Sequence, residues 1–406
     1  MKTTHILVAF CFTAASAAHA QVAPSATSGA AGLRYTFRYA ETAETYAANG
    51  DRQTITPSAS VEYDSNEERH PFRMKYSGGY TWNIAGPSYA TGVFQRLLLS
   101  QTFVWHKWDL MFSDNVGYLP QTPILGFSGI AGTGEPVGTP DPNPPTDESI
   151  LANTHVVNNM ANGELSHQFN RSYSLSGGGS SDILRYPDGV GLDTDSVMAN
   201  AEFDDQLNVR NRISGTYSFS HYTYPGYSTS FGTNAVTVGY LRQWNRRLNT
   251  NVSAGPQWVG SLDPAEVPNS LRLSAVAALN YQFQFGEFVA HYNHGTNGGA
   301  GYLLGAEFDA ARISLSHEFE RRNLTLGVDS AYTRTQGLTK NGVTDAKFAG
   351  VQATRRIGEY LTVFANYTAA DQTTSSPLYS TALSGLEQIV GFGLTYSPRG
   401  TRLVRH

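Results

Sequence analysis

Apolar and polar residues alternate over short segments of this chain, and a short polar turn recurs roughly every 36 to 39 residues. Between residues 72 and 82, the even positions are mainly apolar or aromatic, and the odd positions are polar or glycine. Successive side chains of a strand point to opposite faces, so this alternation predicts strands with one apolar and one polar face. The pattern is imperfect in places. Near residue 364, for example, Phe364 falls among the polar positions.

The recurring turns indicate how the strands are connected. Near copies of one turn occur at residues 169–172, 244–247 and 319–322, which start about 75 residues apart. One unit of this period holds two strands of about 10–12 residues, a tight turn and a longer loop, which is the hairpin unit of a transmembrane β-barrel. A solenoid or propeller would require a repeated signature motif, and the sequence contains none.

Counting the connections predicts the size of the barrel. Eight short turns and nine longer connections, the first at 41–52 and the longest at 119–150, join eighteen strands, although sixteen strands also fit the pattern. We therefore predict an all-β, antiparallel transmembrane barrel over residues 32–397. Short turns would face the periplasm and long loops the exterior, with both chain ends on the short-turn side.

The two ends of the chain are expected to lie outside the barrel. Residues 1–20 have the charged start, apolar middle and small-x-small cleavage site of a secretory signal peptide. A short periplasmic segment would follow at 21–31, and a C-terminal tail at 398–406. The single cysteine, Cys11, lies in the signal peptide, so we expect the mature protein to fold in the bacterial envelope without disulfides.

Composition agrees with a membrane barrel. Aromatic residues make up 12% of the chain and charged residues only 15%, whereas soluble domains carry about 25% charge. The net charge of −5 argues against a nucleic-acid partner. Aromatic residues flank the short turns, where their rings suit the lipid headgroup boundary, and the neighbouring arginines can reach lipid phosphates. The aromatic residues are Trp105, Trp108, Phe169, Trp244, Phe283, Phe288, Phe319 and Tyr360.

The last predicted strand carries a family resemblance. Residues 389–396 resemble the terminal-strand signal of outer-membrane proteins, with Gly391, Leu394 and Tyr396 at the matching positions. The sequence departs from this signal at Ile389, where a polar residue is usual, and in the residues that follow Tyr396. On this signal and its architecture, the mature chain resembles bacterial outer-membrane porins, some of which are associated with polysaccharide export.

The resemblance implies a function and partners. It implies an outer-membrane channel for passive diffusion of small hydrophilic solutes, surrounded by lipid and inserted by the barrel-assembly machinery. The alternative is a barrel that serves polysaccharide export or acts as an envelope scaffold. A homo-oligomer is left open, and neither a cofactor nor a metal is expected. Fold alone does not decide between these functions.

In general porins the third outer loop narrows the pore, and here the third outer connection is the longest. It is rich in proline and glycine, and we predict that its acidic residues form a constriction: Glu135, Asp141, Asp147 and Glu148. These carboxylates would oppose a basic face of the lumen formed by the early strands: Arg34, Arg38, Arg73, Lys75 and Arg96. The alternative is that this loop is an exposed cap.

Residues that could support other chemistry form no recognisable site. His291 and His294 are three residues apart, so on a strand they point to opposite faces and cannot share a metal. Neither His317 nor Ser316 has the spacing of a hydrolase, and we expect no enzyme. The tyrosines at 222–227 are expected at the outer membrane interface, with stacking on sugar rings as the alternative.

Overall fold

A computed structural model shows the chain as one closed antiparallel barrel. It describes residues 32–46, 50–65, 67, 69–86, 91–121, 154–189, 191–262, 267–299, 302–339, 342–375, 385–398 and 401–402. The long strands are β1 Gly32–Tyr46, β2 Gly50–Asp64, β3 Phe72–Ala85, β4 Gly92–Val104, β5 Trp108–Gln121, β6 Thr154–Gln168, β7 Tyr173–Arg185, β8 Thr194–Asn208, β9 Asn211–Thr223, β10 Ser230–Gln243, β11 Leu248–Ser261, β12 Ser270–Phe283, β13 Gly286–Asn297, β14 Ala306–Phe319, β15 Leu324–Gly337, β16 Val343–Ile357, β17 Leu361–Thr374 and β18 Gly385–Tyr396.

The strands follow one another around the wall, and β1 closes the barrel by pairing with both β2 and β18. The predicted count of eighteen membrane strands is confirmed. A short strand β19, Thr401–Arg402, continues the closing seam by pairing with the first two residues of β1. A single turn of 3-10 helix, Glu320–Arg322, lies between β14 and β15.

The strands are longer than the sequence predicted. They contain 12 to 15 residues, and β1 and β2 continue through most of the predicted connection at 41–52, leaving only residues 47–49 between them. The extra residues still form a regular ladder, with Thr42 opposite Thr54 and their hydroxyl oxygens in contact. The sequence predicts a loop here, because the apolar alternation weakens among the paired polar residues near the outer rim.

The outward face of the wall is apolar. Large hydrophobic side chains are exposed around the barrel, including Tyr76 on β3, Phe203 on β8, Val328 on β15 and Phe392 on β18. An apolar surface that encircles a protein requires an apolar surrounding. A closed barrel also leaves no backbone group unpaired in hydrocarbon, and about 9–11 tilted residues are enough to cross a bilayer. The protein is therefore a membrane-spanning barrel, of the kind that bacteria hold in the outer membrane.

The inward face is mainly polar and small. Phe364 is the exception noted in the sequence, since it points inward from β17 and is buried. The guanidinium carbon of Arg38 lies 4.3 Å from the centre of its ring, a cation–π contact across the closing seam. The apparent defect in the alternation is therefore a contact between the two ends of the chain.

No helix among the described residues is long and apolar enough to cross a membrane. The predicted signal peptide (1–20) and periplasmic segment (21–31) lie outside the described residues. The domain boundaries therefore stay a prediction.

Candidate pore and its outer mouth

Basic side chains concentrate on the lumen face of β1 to β4. The strand register and the burial pattern turn all five of the predicted basic residues inward, and they add Arg52. We call this set the basic arc: Arg34, Arg38, Arg52, Arg73, Lys75 and Arg96. The same strands carry three inward acids, Glu44, Glu62 and Asp64, so basic groups are in excess.

Two members of the basic arc are held by ion pairs. The Nε of Arg73 donates to Oε1 of Glu62 at 2.8 Å, and this arginine side chain is largely exposed to the lumen. Glu62 also lies directly opposite Arg34 and Lys75 in the strand register. This carboxylate therefore has two basic cross-strand neighbours besides its ion pair with Arg73. Arg52 and Glu44 form a second, fully buried pair near the outer end of β1 and β2.

The next strands carry the opposite charge. The acidic arc consists of the inward carboxylates of β5 to β8: Asp109, Glu164, Asp182, Glu202 and Asp204. Among the described residues of these four strands, no lysine or arginine points inward. Sequence reasoning missed this arc. Its members are single acids on several strands, and only the register brings them to one face.

The two arcs lie side by side on the lumen wall. β2 and β7 are five strands apart in a closed wall of eighteen, about a quarter turn around the barrel. The acidic arc is itself only partly neutralised. Within the described residues its one ion pair joins Asp204 to Arg212 on β9, with 3.4 Å between Oδ1 and Nε. An electric field therefore runs across the lumen.

The outer mouth is narrowed by apolar residues. A cluster of buried side chains fills the inner side of the wall at the outer ends of β9, β10 and β11, and we call it the mouth cluster. Its ring pairs are close, with 4.8 Å between the centres of Tyr222 and Phe231. The members are Tyr222, Tyr224, Phe231, Val259, Val267 and Leu338.

The described residues of the connection between β13 and β14, 298–299 and 302–305, lie against this cluster. The hydroxyl of Tyr224 donates to the carbonyl oxygen of Gly298 at 2.9 Å. The backbone nitrogen of Leu338 donates to the carbonyl oxygen of Gly305 at 3.1 Å. Tyr302 is buried and packs edge-on against Tyr186 at the end of β7. Because Tyr224 and Tyr186 directly follow β9 and β7, four and six strands from β13, the connection covers part of the mouth. Gly299 and Gly305 adopt the positive φ values of 84° and 77° that its sharp turns require.

The prediction that residues 222–227 lie at the membrane interface is wrong for two of the tyrosines. Tyr222 and Tyr224 are buried inside the mouth, whereas Tyr227 is exposed. Tyr222 falls on the inward parity of β9, and burial against Phe231 gives an aromatic ring more apolar contact than the rim does. Buried rings are also unable to stack on a sugar.

The histidines are separated as predicted. The register turns His291 inward and His294 outward, where Nδ1 of His294 lies 2.9 Å from Oδ1 of Asp309. Ser316 points inward and His317 outward, in a stack with Phe283. The described residues contain no group of three or more His, Cys, Asp or Glu side chains that could hold a metal.

Three solved structures are similar to this barrel. A BenF-like porin from Pseudomonas fluorescens has a TM-score of 0.50 at 12% sequence identity, covering 91% of this chain and 99% of that chain. OccK9 from Pseudomonas aeruginosa has a TM-score of 0.49 at 10% sequence identity, covering 91% of this chain and 98% of that chain. OccK2 from the same species, in complex with glucuronate, has a TM-score of 0.48 at 11% sequence identity, with the same two coverages.

The fold is that of an outer-membrane porin. At these identities the likeness concerns the fold alone. No protein-family model matches the chain, and neither does any curated protein. The predicted resemblance to porins is thus confirmed as a resemblance of architecture.

The other predicted site residues form two groups, of which the structure describes one. Glu135, Asp141, Asp147 and Glu148 lie outside the described residues, so the constriction by the third loop stays a prediction. On β18, Gly391 points inward, while Leu394 and Tyr396 are exposed on the lipid face. The role of these three as an assembly signal likewise stays a prediction.

Proposed function

We propose that this porin-like barrel is a channel for passive diffusion of small hydrophilic solutes through the outer membrane. The observation that carries the proposal is the lumen wall, which is mainly polar below the apolar outer mouth and has a basic arc on β1 to β4 beside an acidic arc on β5 to β8. A field across a water-filled passage aligns polar and ionic solutes as they pass. The covered part of the mouth would then limit the size of what enters.

The experiment is conductance of the refolded mature protein in a planar bilayer, with ion selectivity taken from the reversal potential in a salt gradient. Stepwise current increments are expected. The double variant Glu202→Gln/Asp204→Asn removes two lumen carboxylates and releases Arg212 from its pair. One carboxylate at about 7 Å in water attracts a cation and repels an anion by about 0.6 kcal/mol each. Its loss should therefore shift the anion-to-cation permeability ratio about seven-fold toward anions.

Asp205→Asn is the matched control, because Asp205 is the next residue on β8 but points to the outward face. Its selectivity should equal that of the unaltered chain. A shift of the same size in the control would contradict selection by the lumen wall. A folded, heat-modifiable barrel that gives no current steps would refute the channel and favour a role in polymer export or as a scaffold.

A further inference from the structure

The periplasmic rim between β10 and β17 carries an unusual set of arginines. Two lie on the outward face next to the turns, and four lie in the turns themselves. We call this set the basic rim: Arg242, Arg246, Arg247, Arg321, Arg322 and Arg355. All six are exposed, and within the described part of the chain none of them has an ion-pair partner.

The turns that carry these arginines form a continuous edge. The backbone nitrogen of Gln282 donates to the carbonyl oxygen of Arg247 at 2.7 Å, which joins the β10–β11 turn to the next strand. Similar bonds run from Glu318 to Phe285 and from Arg356 to Asn323. The backbone that carries the six arginines is therefore fixed along one stretch of the rim, and their side chains are exposed there.

Aromatic rings mark the membrane boundary beside the same stretch. Trp244, Phe285 and Phe319 are exposed at the strand ends, as expected of rings at the headgroup level. The guanidinium carbon of Arg242 lies 4.0 Å from the centre of the Trp244 ring. The arginines therefore lie at the depth of lipid phosphates.

The charge of the rim contrasts with that of the opposite side. The outer connections contain a single basic residue, Lys340, against eight acids. Those acids are Glu135, Asp141, Asp147, Glu148, Asp188, Asp193, Asp263 and Glu266. The cationic end of the barrel is thus the end that meets the periplasmic leaflet.

We propose that the basic rim binds anionic phospholipids of the periplasmic leaflet through their phosphate groups. Guanidinium groups match phosphate oxygens bidentately, and among the described residues none of these six is occupied by an ion pair. The bound lipid would form a local shell beside β10 to β17. This inference does not depend on what passes through the barrel.

The test measures which lipid lies next to Trp244. The mature protein is refolded in phosphatidylcholine vesicles that contain a fixed fraction of one brominated lipid. This lipid is either phosphatidylglycerol or phosphatidylcholine, and it carries the bromine near its headgroup. The quenching of Trp244 fluorescence is obtained by subtracting the fluorescence of the Trp244→Phe variant from that of the unaltered chain. We expect about a five-fold local enrichment of phosphatidylglycerol, equivalent to about 1 kcal/mol, and a decrease with added salt.

Two sets of variants decide the cause. Replacing Arg246, Arg247, Arg321 and Arg322 with glutamine should remove most of the enrichment, because only Arg242 and Arg355 of the basic rim remain. Replacing the same four with lysine should keep most of it. The control removes three cations from turns farther around the rim: Arg69, Lys107 and Arg171. Arg210 is kept, because its carbonyl oxygen accepts a hydrogen bond from the backbone nitrogen of Gln243, next to Trp244. The control should leave the enrichment near Trp244 unchanged. Heat-modifiable migration checks that each variant is folded.

Equal quenching by the two lipids in the unaltered chain would overturn the proposal and leave a periplasmic protein as the partner to seek. Enrichment that is undiminished in the glutamine variant, or that disappears in the lysine variant or in the control, would also overturn it.

Discussion

The contact of the mouth cluster with Gly298 and Gly305, in the connection between β13 and β14, should control how freely ions enter the barrel. Tyr224→Phe deletes the hydroxyl that holds Gly298 and keeps the ring. A hydrogen bond of this kind contributes about 1 kcal/mol, so the ratio of covered to uncovered mouth should decrease about five-fold. Phe231→Ala removes a fully buried ring from between Tyr222 and Tyr224. Large-to-small changes in packed cores cost about 3–5 kcal/mol, which would shift the same ratio more than a hundred-fold.

Single-channel recording of the refolded protein measures this ratio as the fraction of time spent at the larger conductance. Phe231→Ala should remain at the larger conductance, and Tyr224→Phe should alternate between the two levels. Because Tyr224 and Phe231 contact each other, their effects should not add in the double variant. The melting temperature of the barrel should change little, since the cluster lies at one rim.

Tyr217→Phe is the matched control for the hydroxyl. Tyr217 is also on β9, but its hydroxyl donates to Asn234 on the lipid face at 2.7 Å. Its recordings should be indistinguishable from those of the unaltered chain. Phe231→Ala recordings with the original conductance levels and occupancies would refute the reasoning, because the mouth would then be independent of the cluster.

The closing seam provides two more tests. Phe364→Ala removes the buried ring and its contact with Arg38. The free energy of unfolding, measured by urea titration in vesicles, should therefore decrease by about 3–5 kcal/mol. An equal decrease for Phe392→Ala, on the lipid face, would contradict this. Gly393→Ala places a methyl group against the backbone of β1 and 2.6 Å from the Phe364 ring, so a smaller fraction should refold into vesicles as heat-modifiable barrel. In Gly391→Ala the new methyl group meets only a side-chain amide, and refolding as poor as that of Gly393→Ala would exclude the backbone clash as the cause.

The barrel itself could be predicted from the sequence because one physical rule applies along the whole chain. A strand between lipid and a polar lumen must alternate, and therefore the inward position of Arg73 and Lys75 follows from their parity with the apolar Met74 and Tyr76. The count of eighteen followed from the turns in the same way. Parity also placed His291 and His294 on opposite faces.

The mouth could not be predicted, because its contacts join residues that no local pattern relates. Tyr224 and Gly298 are separated by 74 positions, and both belong to connections that the alternation does not constrain. A weak signal was present. Tyr222, Phe231 and Val259 are apolar at inward positions near the outer ends of three consecutive strands. Apolar residues at lumen positions of neighbouring strands indicate that something packs on them.

The acidic arc was missed for a related reason. Each of its strands contributes only one or two inward acids, and their alignment depends on the register between strands. Register follows from turn geometry and hairpin pairing, which a single sequence specifies only to within a residue or two. Five of the six members of the basic arc could be assigned to one face from the sequence, because they cluster within β1, β3 and β4, whereas Arg52 on β2 was missed.

The pairing of β1 with β18 has a consequence for how the protein is made. Phe37 lies opposite Tyr396, so the last seam joins positions roughly 360 residues apart. The loop-closure entropy for this separation costs about 3 kcal/mol more than that for a hairpin of 15 residues. A barrel with an open seam exposes two unpaired strand edges, which other chains can join. Assembly therefore cannot finish before the C-terminus arrives, and the chain depends on protection of both edges until then.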